Sequence, residues 1–282
     1  FKMPFAVISD VHGNITALEA VLEHIASNGI SQIHFLGDAV GYGPDWAECT
    51  QLLEEKIDIG ILGNHDKAVL LDSAPRFNKV ATAITHWTHA QMVEHDTDGK
   101  ATDFLSSLKE YVEQDPYLFV HGSTTDPTNE YILPPLYMTQ ETLENNFREL
   151  DQQIAFMGHS HVPVFWRYDG DSFFSTESPA IIHPVSDSKY LVNVGSVGQQ
   201  RSAGRDACYV IVEDDGTIRY QSVKYDVNAQ IKRLEASNMN AWVAEEKPEL
   251  LEKIKVEVKL GDVHLPQGHI AEYLGNRLRI GR

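Results

Sequence analysis

FAVISDVHGN, residues 5–14, sets the reading of the whole chain. Four apolar residues run directly into a short polar loop that ends in Gly13 and Asn14, so a buried strand stops on Asp10 and His12. After the loop, Ile15, Leu18, Val21, Leu22 and Ile25 recur at helical spacing on one stripe, and Gly29 supplies a stop. An amphipathic helix near Ile15–Asn28 is therefore expected, with Asn14 as its cap. A strand near Ile33–Leu36, a helix near Asp45–Glu54 and a strand near Ile57–Leu62 continue the alternation. Strands alternating with helices predict a partly parallel sheet, and open α/β sheets gather their ligands just beyond the strand ends.

The same junction recurs four more times. IHFLG leads to Asp38, IGILG to Asn64, YLFVH ends on His121, and IAFMG leads to His159 and His161. Together with Asp10 and His12 these are seven candidate ligands, and they read as one binuclear metal site. Asp10 and His12 are two apart, as are His159 and His161; on an extended segment such pairs point to one face. Gly13, Gly37, Gly41, Gly43, Gly63 and Gly158 flank these positions, where a chain without Cβ turns sharply or approaches a ligand closely. Carboxylate, amide and imidazole together suit first-row divalent metals rather than calcium or an iron–sulfur cluster. Two such ions about 3.5–4 Å apart are a common device for cleaving phosphate esters.

In order, D-x-H, G-D, G-N-H-D, a lone strand-end H and G-H-x-H resemble the motifs of the calcineurin-like metallophosphoesterases, over residues 10–161. GDAVGYGPD (37–45) and HGSTTDPTNEYI (121–132) are similar to one prokaryotic branch of that family. NVGSVGQQR (193–201) resembles that branch's NPGSVGQPR, with Val194 in place of a proline. The resemblance implies that Asp10, His12, Asp38 and His161 hold one metal, and Asp38, Asn64, His121 and His159 the other. Asp38 would bridge with its two oxygens. The cofactor would be two divalent or mixed-valence transition metals (Mn, Fe, Zn or Ni). It also implies that His65 protonates the leaving group, with Asp66 either orienting that ring or capping a helix that starts near Lys67. The helix start at Asn14, with Arg201 and Arg205 after the GSVGQQR loop, are the candidate phosphate contacts; for the two arginines plain surface charge is the alternative. Tyr42, Asn129 and Tyr131 are expected at the rim.

Lys+Arg 23 against Asp+Glu 41 leaves a net charge of −18. That opposes a long nucleic acid, which needs a basic track, and an anionic membrane surface. A small phosphorylated substrate, or a phosphoprotein, stays compatible, because bound metals make a site locally positive. Cys49 and Cys208 have no metal-ligand spacing and read as small core residues, as in a reducing cytoplasm. No charged-then-apolar leader and no apolar run of about 18 residues is present, so a cytoplasmic protein is expected. Oligomeric state is open. His86 and His89, three apart on a helix, could touch, but a solvated or partly buried pair is expected.

Residues 67–110 read as mostly helical, 123–135 as an ordered loop, and 140–150 as a helix. Beyond residue 161, short β runs follow one another, with hairpin signals at Asp169-Gly170 and Asp214-Asp215-Gly216. These predict a second sheet packed on the first, in a four-layer α/β/β/α sandwich of two mixed sheets. One metallophosphoesterase domain is expected: a catalytic sandwich over 3–225 and a mostly helical extension over 226–282, in which residues 245–262 match no part of the family pattern. The expected reaction is metal-activated hydroxide attack on a phosphate ester, with no protein nucleophile. Monoester, diester and dinucleotide polyphosphate substrates remain alternatives, and a non-catalytic scaffold on the same fold would ordinarily lack ligands that this chain retains.

Overall fold

The computed structural model describes residues 3–177, 180–201 and 206–246. β1 (Phe5–Ile8) shows how the layers arise. Its side chains alternate, with Ala6 and Ile8 entering one apolar cluster and Phe5 and Val7 another, as the strand period requires. A strand buried on both faces belongs inside a sheet covered on both sides. β1 pairs in parallel with β2 (Gln32–Phe35) and antiparallel with β11 (Ala207–Val212). The full first sheet runs β3 (Ile59–Gly60), β2, β1, β11, β12 (Ile218–Val223), β9 (Ile181–Ile182). The second runs β4 (Tyr111–Gln114), β5 (Tyr117–Val120), β6 (Ile154–Met157), β10 (Lys189–Asn193), β7 (Val164–Tyr168), β8 (Phe173–Glu177).

The two six-stranded sheets face each other. Phe5 and Val7 of the first share one core with Phe119, Phe156 and Val192 of the second, and the Phe5 ring meets Phe119 and Phe156 edge-on at 6.1 and 6.4 Å. Outside the first sheet, α1 (Ile15–Ser27) buries Leu18, Val21 and Ile25 in the cluster that holds Ile8, Phe35 and Ile211. α2 (Trp46–Lys56), α4 (Lys79–His95) and α5 (Lys100–Ser107) extend the same layer. Outside the second sheet, α6 (Gln140–Glu149) sets Leu143 and Phe147 against Leu118, Ala155 and Leu191. The expected α/β/β/α sandwich is therefore present, and both expected hairpins form: β7–β8 turns at Gly170 and β11–β12 at Gly216, each glycine at positive φ.

Several boundaries differ from the sequence reading. The strand expected over Ile57–Leu62 shrinks to Ile59–Gly60, because Asp58 turns its carboxylate onto Ile33 N at 2.8 Å and Leu62 N bonds Lys109 O at 2.7 Å. α3 (Asn64–Leu71) starts at Asn64 rather than near Lys67, with Gly63 as its N-cap. β4 was not anticipated; its polar YVEQ carries no apolar period, and its hairpin with β5 makes it a strand. In the tail, α7 (Val227–Ala236) and α8 (Met239–Glu246) are helical as expected. Asn238 between them accepts a hydrogen bond from Trp87 of α4 at 3.0 Å. Residues 247–282, and with them most of the 245–262 stretch, lie outside the described residues. Among the described residues no helix is long and apolar enough to cross a membrane.

Candidate metal centre

The loops that follow β1, β2, β3, β5 and β6 converge at one end of the two sheets. The β1–β2 ladder continues past the strands: Asp10 N bonds Gly37 O, His12 N bonds Asp38 O and Gly13 N bonds Ala39 O, each at 2.9 Å. Asp10, His12, Asp38, His159 and His161 all take positive φ, between 50° and 63°. This corrects the expectation for the i, i+2 pairs, since neither pair is extended. Asp10 and His12 turn towards one ligand group, but His159 and His161 go to different groups, so the second pair does not serve a single place. Left-handed backbone of this kind costs an L-residue of order 1–3 kcal/mol and persists where the surroundings over-determine it. Two glycines make the close packing possible. A Cβ on Gly63 would lie 2.0 Å from Asp38 Oδ1, and one on Gly158 would lie 2.4 Å from Asp10 Oδ2.

All seven predicted ligands are buried here. Two groups of their ligating atoms each fall within 4.8 Å: Asp10, His12, Asp38 and His161, and Asp38, His121 and His159. Asn64 joins the second, its Oδ1 lying 2.9 Å from His121 Nε2. Asp38 belongs to both groups through a single oxygen. Its Oδ2 is 3.6 Å from His12 Nε2 and 3.3 Å from His121 Nε2, whereas Oδ1 accepts the His65 N–H at 2.8 Å. The expectation that Asp38 shares both oxygens is thereby corrected.

The ring nitrogens show what the centre can hold. Each imidazole has one nitrogen on a backbone carbonyl: His12 Nδ1 on Val40 O (3.1 Å), His161 Nδ1 on Gln199 O (2.6 Å), His121 Nδ1 on Leu36 O (2.8 Å) and His159 Nε2 on Asn129 O (3.1 Å). A carbonyl only accepts, which assigns the proton to that nitrogen and leaves the other as a lone pair. In the neutral His12, His159 and His161 rings the lone pairs turn inwards, His12 Nε2 against His161 Nε2 at 3.1 Å and His159 Nδ1 towards His121 Nε2 at 3.2 Å. Asp10 Oδ1 and Asp38 Oδ2 are buried without a hydrogen-bond partner. Opposed acceptors of this kind are satisfied by cations, and imidazole with carboxylate suits transition metals.

Electrostatics agree with that reading. Burial pushes the His12, His159 and His161 rings well below the ordinary histidine value, so they are neutral donors. Burial works against charge on Asp38 as well, but His121, with His65 and His12, holds its carboxyl well below the usual range. Burial also disfavours a charged His121, yet Asp38 beside it lifts that ring to about 9. Without a cation the centre therefore keeps a proton on His121; a metal binding there displaces it.

His65 lies against this centre but is no part of either group. Burial, with Arg201 and His121 nearby, lowers it to about 4. Asp66 does not orient its ring. The Asp66 carboxylate accepts Asp38 N (2.8 Å), Gly63 N (3.0 Å) and Val40 N (3.2 Å), tying the start of α3 to the 37–45 loop. Burial and the neighbouring Asp38 charge push the Asp66 carboxyl up to about 7, while the Gly63 and Val40 N–H groups favour its charged form. The helix-capping alternative is the one the structure contains. His65 Nδ1 has no hydrogen-bond partner, and the ring is instead held between Phe77 at 4.3 Å and Tyr42 at 4.8 Å. Phe77 precedes the α4 cap Asn78 in a loop that matches no motif, so the sequence carried no signal for it.

The expected substrate contacts fare differently. Asn14 is the cap of α1, its Oδ1 accepting Ala17 N at 3.0 Å while Nδ2 donates to Gly198 O at 3.0 Å. Thr16 N donates to Gln230 Oε1 at 3.4 Å, so two of the first N–H groups of α1, those of Thr16 and Ala17, are bonded to protein side chains. Arg201 stands beside the centre, with its Nη2 on Gln199 Oε1 at 3.0 Å and its charge felt by His65 and His161. Arg205 lies outside the described residues. Tyr131 stacks on His159 at 3.7 Å, and Asn129 contributes the carbonyl that fixes the same ring. Val194 N donates to Met157 O at 2.9 Å, a bond that a proline at this position could not make. His86 and His89 do not pair; they bond Asp72 and Val69 O respectively.

A chain with this sandwich and this centre matches the calcineurin-like phosphoesterase superfamily domain over residues 3–216, and it belongs to that superfamily. It is 32% identical to the uncharacterized protein MJ0912 of Methanocaldococcus jannaschii over 251 residues, covering 86% of this chain and 97% of that one. Its structure is similar to a metallophosphoesterase from Sphaerobacter thermophilus, with a TM-score of 0.71 and 30% identity over 92% of this chain and 100% of that one. It shares its fold with protein PH1004 from Pyrococcus horikoshii OT3, with a TM-score of 0.67 and 19% identity over 91% and 99% of the two chains. Family and centre together indicate a phosphoesterase whose buried Asp/His groups are able to hold metal.

Proposed function

We propose that this protein is a binuclear metal-dependent phosphoesterase acting on a small phosphorylated substrate. The observation that carries the reading is Asp38 Oδ2, buried, without a hydrogen-bond partner, and facing both ligand groups. Asp10, His12, Asp38 and His161 would hold one ion, and Asp38, Asn64, His121 and His159 the other, drawn from Mn, Fe, Zn or Ni. Bound there, the ions supply Lewis acidity to the phosphoryl oxygens and to water.

The remaining steps fall to the chain. The Arg201 guanidinium attracts a phosphate towards the centre from its edge. His65 is neutral in the free protein, and a phosphate anion beside it offsets the burial that keeps it so. The ring then carries the proton that the departing oxygen needs, and the Phe77–Tyr42 clamp fixes its direction. Residues 3–225 would form the catalytic sandwich, with 226–282 as a further segment of the same domain. With a net charge of −18, a long polyanion is disfavoured away from the centre.

The test has two parts. Metal analysis after loading and desalting is expected to return two equivalents per chain; a single equivalent under metal excess would remove the binuclear reading. Hydrolysis of an aryl phosphate monoester against its bis-aryl diester, each with and without chelator, reports the class of ester. Activity that survives complete metal removal contradicts the proposal.

A further inference from the structure

The 37–45 loop touches the candidate metal centre on one side and α7 on the other. Gly43 N donates to His12 O at 2.9 Å, Asp45 N donates to Gly13 O at 3.1 Å, and the His12 ring itself is bonded to Val40 O of this loop. The approach is so close that a Cβ on Gly43 would lie 2.5 Å from His12 O. The buried carboxylate of Asp45, at the end of the loop, faces α7. Its Oδ1 accepts Arg233 Nε at 2.7 Å and its Oδ2 accepts Gln230 Nε2 at 2.8 Å. Arg233 Nη2 continues to Glu48 of α2 at 2.7 Å. Gln230 Oε1 accepts the Thr16 hydroxyl at 2.8 Å, in the first turn after the Asp10–His12 loop. α7 thus spans both loops that shape one half of the centre, although it lies beyond residues 3–216 that match the family domain.

We propose that Gln230 and Arg233 are positioning residues for His12. They clamp the 37–45 loop on the 9–14 loop through Asp45 and so fix the direction in which the His12 imidazole enters the centre. The inference rests on the metal reading above only for its effect on metal affinity. Charge-assisted bonds of this kind hold geometry better than neutral ones, and loss of a group that orients a ligating histidine typically weakens metal binding about 10–100-fold. Arg233 acts one contact further away, so about tenfold is expected. The effect falls mainly on the His12 group: Asn64 is placed by α3, the His121 ring by Leu36 O and the His159 ring by Asn129 O, with which Gln230 and Arg233 share no hydrogen bond among those described. Asp38 of the 37–45 loop carries a smaller effect to the second group.

The experiment compares Arg233→Met with Leu143→Ala, a core truncation on α6 chosen for a similar loss of thermal stability. In metal-free protein, hydrogen exchange over residues 38–46 is expected to be faster in Arg233→Met than in Leu143→Ala. On zinc titration of the metal-free full chain, one of two equivalents should weaken about tenfold in Arg233→Met, and the other by clearly less, through Asp38. Arg233→Lys, which keeps the charge on Asp45, should recover part of both effects. Exchange in Arg233→Met no faster than in Leu143→Ala overturns the positioning role, as do two unchanged zinc equivalents. If wild type takes up fewer than two equivalents while the exchange difference appears, the metal reading fails and the positioning of His12 stands.

Discussion

Asp38 accepts the backbone N–H of His65 through Oδ1 at 2.8 Å, while its Oδ2 faces Nε2 of both His12 and His121. One carboxylate therefore joins the two ligand groups and also fixes the first turn of α3, which carries Asn64 and His65. An error at this position spreads to every part of the centre.

Asp38→Asn is expected to lose both metal equivalents, because an amide brings neither the charge nor a second unprotonated edge. Asn64→Ala removes one neutral oxygen from one group and should lose a single equivalent. Elemental analysis of both variants after identical loading decides it, and equal metal content in the two contradicts the shared role of Asp38.

His65→Ala should keep its metals and lose turnover, since the ring belongs to neither ligand group. Assistance by a general acid is worth about 10²–10⁴-fold, and the loss should shrink for a nitrophenyl ester, whose leaving group needs no proton. Phe77→Ala removes one side of the clamp on that ring. It should lower turnover in the same leaving-group-dependent way but by less, roughly tenfold on the scale of that assistance. Equal losses for alkyl and nitrophenyl esters would show that His65 has another task.

Gly63→Ala would place a methyl 2.0 Å from Asp38 Oδ1, on backbone that cannot move without displacing α3. Metal retention should collapse. Gly29→Ala, by comparison, meets nothing within 4 Å and pays only for its positive φ, about 1–2 kcal/mol. Thermal unfolding together with metal content separates the two, and a Gly63→Ala protein that loads normally would refute the packing argument.

His34 gives the fold a pH dependence of its own. Its ring stacks on Phe5 at 4.6 Å and meets Phe119 at 4.7 Å, with Nδ1 unpartnered. Burial lowers its pKa to about 4, against a partial opposing pull from Asp58. The unfolded chain then binds the extra proton first, so stability is complete above about pH 6.5 and falls as pH drops towards 4. By pH 5 the loss from this one group should be roughly 2 kcal/mol. Denaturant unfolding in chelator at pH 7 and pH 5 should show a smaller drop for His34→Leu than for wild type; an unchanged drop would mean that His34 is not held neutral.

The sequence alone determined the layers and singled out the seven candidate ligands, because both are written in local chemistry. β1 reads as doubly buried from four consecutive apolar residues, and Asp10, His12, Asp38, Asn64, His121, His159 and His161 each stand where a buried strand meets a polar loop. Tertiary structure decided how those residues meet. The left-handed backbone of Asp10 and His12 is imposed by bonds to Gly37, Asp38 and Ala39, not by anything within the dipeptide spacing. β4 exists because β5 lies beside it, and the Asn14 side chain and Thr16 N meet Gly198 and Gln230, which fold back from far along the chain. Phe77 reached His65, and Arg233 reached Asp45, through contacts between segments that no period or motif connects. Local pattern fixes which face of an element is buried and where it ends; which distant side chain fills the last few ångströms is settled only when all the layers pack at once.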